Sequence, residues 1–157
     1  MIKTTMAALL ALPLLAHAGG GMNDVRQQVQ VLAKAGKVVV TLTLENASGK
    51  SVFVSKAVYE DAQIFRREFA ITDAATGAEV DYIGPMVKRG PFTRDDFIAV
   101  KPGKKRSHGI DITHSYDFKP KHTYQLVYAG GYLGDPAKLD AVSALAAPAL
   151  TFTYPGQ

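Results

Sequence analysis

Between Lys37 and Glu45 apolar side chains recur at every second position, as Val38, Val40, Leu42 and Leu44, while Thr41, Thr43 and Glu45 take the alternate places. A period of two puts one set on each face of an extended chain, so this stretch reads as a strand with one buried side and one wet side. The run from Val25 to Val31 repeats the pattern more weakly, and the Ala35-Gly36 pair between the two suits a hairpin turn. Asn46-Ala47-Ser48-Gly49-Lys50 reads as a loop with a Gly where positive φ is expected, and Asn46-Ala47-Ser48 also matches a glycosylation acceptor by chance.

Further alternating runs follow. Ser51 to Ser55 forms a short strand, and Tyr59-Glu60-Asp61 is irregular. Phe65, Arg67, Phe69 and Ile71 fall on one face of a longer strand, where Arg67 requires either a bulge or a covered stem with its head in water. After the Asp73 to Gly77 turn, Glu79 to Tyr82 is extended, Met86 to Arg89 extends again, and Arg89 to Asp96 is loop. Phe97 to Val100 leads into Lys101-Pro102-Gly103-Lys104, which fits a type II turn. Arg106 to Thr113 is a strand, His114 to Lys121 a corner, and Tyr124, Leu126 and Tyr128 alternate in the next strand. Asp135 as cap, Pro136 at the first helical position and the spacing of Leu139, Val142, Leu145 and Ala146 predict one short helix at 135–147. Leu150, Phe152 and Tyr154 make the last strand. Strands about every ten to fifteen residues, separated by turn signals, predict an all-β fold: an Ig-like antiparallel β-sandwich of about seven to eight strands.

Residues 1–18 read as a secretory signal peptide: Lys3 precedes the apolar run Met6 to Leu15, and Ala16-His17-Ala18 is a small-x-small cleavage signal. The run is about ten residues, against the roughly 20 of a membrane-spanning helix. Residues 19–157 then form one domain, exported to the periplasm or the medium, with no membrane span expected. The chain has no Cys, so its stability has to come from apolar burial and backbone pairing. A formal net charge of +4 is too mild to point to nucleic acid. Its distribution is more telling. From Met86 to His108 the cations Lys88, Arg89, Arg94, Lys101, Lys104, Lys105 and Arg106 face only two acids, Asp95 and Asp96.

Several segments of this central region follow a family pattern. Tyr82-Ile83-Gly84-Pro85-Met86-Val87-Lys88-Arg89-Gly90, Asp95-Asp96-Phe97, Lys101-Pro102-Gly103, Ile110-Asp111-Ile112, Tyr116-Asp117-Phe118 and Thr123-Tyr124 to Tyr128 occur in order. They resemble the Ig-like, non-catalytic region that precedes the protease domain of bacterial deuterolysin-type peptidyl-Lys metalloendopeptidases. The resemblance implies an Ig-like fold and an association with exported proteolysis. It does not imply catalysis, because the protease domain's His-Glu-x-x-His zinc motif does not occur in this sequence. The chain also departs from the pattern at His122, where the family has Gly, and in the insertion from Asp135 to Ala147.

The residues offer little chemistry of their own. With no Cys and no Gly-x-Ser-x-Gly turn, and with Ser107 and His108 on opposite faces of a strand, no nucleophile is prepared, so no enzyme and no catalytic residue is expected. His108 and His114 share strand parity but lie about 20 Å apart if the strand is straight, and Gly19-Gly20-Gly21 lacks the third-position His of an amino-terminal copper clamp. No metal and no cofactor is expected. Tyr124, after the Tyr116-Asp117 corner, matches the tyrosine whose hydroxyl braces a sandwich corner.

Two binding readings stand side by side. Tyr82, Phe92 and Phe97 interleave with Lys88, Arg89 and Arg94, and Asp95 and Asp96 fix the loop by ion pairing; aromatic and Arg residues together are interface composition. This predicts a protein-binding module whose partner is another exported or envelope protein, with a protease as the partner the resemblance implies and modulation or inhibition as the role. It would work by presenting a rigid loop or by adding an edge strand to a peptide. The alternative is a periplasmic small-ligand, metal or polyanion-binding protein, with Lys101, Lys104, Lys105 and Arg106 contacting the polyanion.

Overall fold

The computed structural model describes residues 24–156; the expected signal peptide, Gly19 to Gly21 and Met22 lie outside them. Ten strands and one single-turn helix follow in the order β1 (Val25–Lys34), β2 (Lys37–Asn46), β3 (Val52–Ser55), α1 (Lys56–Tyr59), β4 (Ala70–Asp73), β5 (Phe97–Val100), β6 (Lys104–Asp111), β7 (Thr123–Val127), β8 (Gly130–Leu133), β9 (Val142–Leu145) and β10 (Leu150–Thr153). They pair in three antiparallel sheets, β1-β2-β6, β10-β7-β4 and β5-β3-β8-β9. The fold is all-β and sandwich-like, with more and shorter strands than the seven or eight expected.

β2 is central to its sheet. Val38, Val40, Leu42 and Leu44 are completely buried, as the alternation requires, and their strand pairs along its length with β1 on one side and β6 on the other. Ala35 and Gly36, both at positive φ (51° and 75°), close the β1–β2 hairpin in the mirror-image turn that matches strand twist. Lys101 to Lys104 is also a turn, with Gly103 at φ 70° and the Lys104 N–H donating to the Lys101 carbonyl. Gly49, by contrast, is not among the positive-φ residues. Its loop is shaped by Asn46.

Asn46 is fully buried and both ends of its amide are satisfied. Its Nδ2 donates to the carbonyls of Lys50 and Val100, each at 2.8 Å, and its Oδ1 accepts from Ser48 N and Oγ. One side chain thus ties the end of β2 to the loop and to the end of β5. The acceptor nitrogen that a glycan would need is committed inside the protein.

Three other expectations change. The predicted strand through Phe65 is a strand only from Ala70, and 60–69 is irregular with Phe65 exposed. The Phe69 backbone finds its partners on a side chain instead of a ladder: its N–H donates to the Tyr116 hydroxyl at 3.0 Å, and that hydroxyl donates to the Phe69 carbonyl at 2.9 Å. Arg67 is exposed, and its head donates to the Val80 carbonyl at 2.7 Å and pairs with Glu79. The helix predicted at 135–147 is absent. Asp135 does cap, with Oδ1 accepting from Ala137 N, but it caps a turn, and Val142–Leu145 is strand β9, paired in register with β8. The spacing of Leu139, Val142 and Leu145 suits a helix face, but here the backbone pairing with β8 decides.

Aromatic residues fill the core around the predicted corner. Phe118 packs on Tyr116, Tyr124, Phe152 and Tyr154 at centroid distances of 5.1–5.9 Å. The Tyr124 hydroxyl accepts the Lys119 N–H at 2.7 Å, the bracing bond expected of a tyrosine corner.

Replacing Asn46 by Ala removes the donor to the buried Val100 carbonyl, while the Lys50 carbonyl keeps Ser48 Oγ, and is expected to cost about 1–3 kcal/mol. Urea unfolding of Asn46→Ala against the parent checks this. In a glycosylating host, the Asn46 sequon is expected to stay unmodified by mass.

Candidate functional site

Segments that lack regular structure build the most distinctive surface. The carbonyl of Phe65 accepts the Val87 N–H at 3.2 Å, which lays the 84–90 segment against 64–68. Tyr82 braces both: its hydroxyl lies 2.8 Å from the Pro85 carbonyl and 3.1 Å from that of Ile64. The ring packs edge-on against Tyr116, at 5.4 Å and 75°. Gly84 is required here, because a Cβ would fall 2.7 Å from the Tyr82 hydroxyl. Tyr82, which the sequence reading placed on the contact face, is half-buried and braces the two segments behind that face.

Phe92 is the centre of that face. It is 40% exposed, and the guanidinium carbons of Arg66 and Arg89 stand 5.4 and 5.5 Å from its ring centroid. Cations at this range are drawn to the negative face of an aromatic ring, by about 0.5–1 kcal/mol each where exposed. Both guanidiniums are also held from the side, Arg66 by Glu68 and Arg89 by Asp96. Phe97 packs behind Phe92 at 6.1 Å.

Asp96 organises the loop. Thr93 caps a 3-10 turn over Arg94–Asp96, and the Asp96 carboxylate accepts the Thr93 N–H at 2.8 Å and lies 3.2 Å from its hydroxyl, while its other oxygen engages Arg89. The Thr93 N–H, helped by the charge of Arg89, holds the Asp96 carboxyl below its usual range. One carboxylate thus orients the residues on both sides of Phe92. Beside the ring opens a cleft of about 510 Å3, whose walls include Phe65, Arg66, Glu68, Val87, Arg89 and Phe92.

Of the predicted contact residues, Arg89, Phe92 and Asp96 come together, whereas Lys88, Arg94 and Asp95 lie exposed around them. Arg66, Phe65 and Glu68 were missed. They sit in the segment read as a strand, and a strand reading gives no reason to bring Arg66 onto Phe92. The side chains of the basic turn are divided between two faces. Strand alternation sends Lys105 to one face of β6 and Lys104 and Arg106 to the other, Lys105 pairs with Glu45 at 3.4 Å, and Arg106 donates to the Tyr59 carbonyl and to Glu60. Lys101 and Lys104 are exposed.

The histidines are dispersed. His108 Nε2 meets the Asp61 carbonyl at 2.8 Å, and His122 Nδ1 meets Asp73 at 2.7 Å, while Ser107 faces away from His108 and bonds Thr43. Among the described residues, no three His, Asp or Glu side chains gather as metal ligands would. None of their helices is long and apolar enough to cross a membrane.

Because the folded Asp96 carboxyl titrates below its unfolded value, its contribution to loop order is present above about pH 4 and is lost as the pH falls through the lowered value. Asp96→Asn is expected to flatten the acid limb of stability, and a carbon-detected titration of the Asp96 carboxyl should show the depressed midpoint.

No family model and no curated protein matches the chain. Among solved structures it is similar to an X-ray structure of a Northeast Structural Genomics Consortium target, with 13% identity over 87% of this chain and 90% of the other, at a TM-score of 0.42. A likeness of that size carries no argument about function.

Proposed function

We propose that the protein is an exported, non-catalytic protein-binding module that engages its partner through the face centred on Phe92. The observation that carries this reading is an exposed ring contacted by two guanidiniums, each already oriented by a carboxylate. Aromatic and Arg side chains are the residues most often found as binding hot spots, and side chains already ordered lose less entropy on association. The cleft beside the ring offers a recess for an anchoring side chain. The 84–96 segment is tied down by Tyr82, Val87 and Asp96, so it can act as a rigid presented loop.

The partner is another exported or envelope protein. The resemblance of residues 82–128 to the region before a secreted metalloprotease domain makes a protease the partner to test first, with modulation or inhibition as the role. Export rests on residues 1–18. N-terminal sequencing of the protein recovered from its own envelope or medium is expected to begin at Gly19.

Affinity capture with the exported protein tests the binding reading. A specific partner should be retained at 0.5 M salt, because an interface anchored by Phe92 depends little on screened charge, and Phe92→Ala and Arg89→Ala should each weaken capture at least tenfold. Capture that is unchanged in both variants overturns the site. Retention only of salt-labile polyanion overturns the module.

A further inference from the structure

A second cleft, about 200 Å3, opens between the end of β3 and β8, and Phe92, Phe97, Tyr128 and Tyr132 line it together with Glu68 and Ser55. The backbone makes this gap. β3 and β8 are in register only at Phe53 and Leu133. Two residues further on, at Ser55, β3 gives way to α1 and the chain turns from β8. Gly130 and Gly131 line the gap on the β8 side, packed too closely to admit a side chain. A Cβ on Gly131 would fall 2.6 Å from Val142 Cγ1, and one on Gly130 would fall 2.5 Å from the Tyr128 ring. Ser55 Oγ is left buried, without a hydrogen-bond partner in the protein.

The cleft has one buried charge. The Glu68 side chain is only 10% exposed, and its ion-pair partner Arg66 is 49% exposed, on the irregular 60–69 segment. Arg66 therefore covers Glu68 from the solvent side while its guanidinium lies against Phe92. A nearly buried carboxylate walled by aromatic rings is a seat for a cation, since the rings attract positive charge where water is excluded and the carboxylate supplies the counter-charge. An anion would be repelled by Glu68, and a hydrocarbon would leave Ser55 Oγ unmet.

We propose that this cleft binds a small alkylammonium ion, with Arg66 as an internal competitor for the seat. The ammonium N–H groups donate to Glu68 and to Ser55 Oγ, and the alkyl stem lies along Tyr128, Tyr132 and Leu133. When the ligand enters, Arg66 gives up Glu68 and Phe92 and swings into solvent, and the ammonium takes its place on the carboxylate. This site needs neither Arg89 nor Asp96, so it does not rest on the partner-binding reading.

Calorimetric titration of the purified protein with n-butylammonium chloride, with sodium butyrate at equal ionic strength as control, tests the proposal. The ammonium is expected to bind with one-to-one stoichiometry and butyrate not at all. Arg66→Ala should strengthen butylammonium binding several-fold by removing the competitor, whereas loss of a supporting contact would weaken it. Glu68→Gln should weaken binding at least tenfold. Should that variant fail to fold, Ser55→Ala, which removes one hydroxyl, should weaken it several-fold. Absence of butylammonium binding in both the parent and Arg66→Ala overturns the proposal, as does weaker binding in Arg66→Ala or equal binding of butyrate.

Discussion

Val38, Val40, Leu42 and Leu44 are wholly removed from water, and the strand that carries them is the only one that pairs with both β1 and β6. Burying a Val or Leu side chain contributes about 1.5–3 kcal/mol, so this row is a large part of what a chain without disulfides can use. It also sets register. A shift of one residue would turn all four outward, so every residue of β1 and β6 takes its face from β2. Asn46 ends the row by turning a polar residue inward at the position where the strand must stop. Its four hydrogen bonds replace the ladder that the chain leaves behind.

Away from β2 the strands are mostly four residues long, and long connections run between them without ladder partners. Buried backbone groups there still need bonds. Three tyrosine hydroxyls meet that need: Tyr116 serves both polar groups of Phe69, Tyr124 takes the Lys119 N–H, and Tyr82 spans Ile64 and Pro85. Burial has a second effect on two of them, pushing the Tyr116 phenol up to about 12 and raising that of Tyr82. The same braces hold the irregular segments that carry Arg66, Arg89 and Phe92, which links the fold to the binding face.

That face and the neighbouring cleft share Arg66, Glu68 and Phe92. Arg66 is oriented by its own chain two residues away and by a ring more than twenty residues away, and it separates an open, cationic rim from a nearly buried carboxylate. The two surfaces can therefore be altered separately: Arg89 and Asp96 belong to the rim, and Ser55 and the Gly130-Gly131 pair to the inner cleft.

Period-two alternation was enough to locate β2, most of β1, β3, β6, β7 and β10, because one face of each meets the core and the other meets water or a second layer. The hairpin at Ala35-Gly36, the turn at Pro102-Gly103 and the Tyr124 corner were also legible, since each depends on a conformation that few residues adopt or on a bond between near neighbours. Arg89, Phe92 and Asp96 were legible as a set for the same reason, being within one loop. The irregular path of 60–69, the turn and strand in place of a helix at 135–147, and the arrival of Arg66 on Phe92 were decided only in three dimensions. Each depends on a partner that the local pattern does not name: Tyr116 for Phe69, the neighbouring strand β8 for β9 and Phe92 for Arg66. Local pattern cannot carry that information, because the Phe69 backbone, the β9 ladder and the ring under Arg66 are met by segments that only the fold brings alongside.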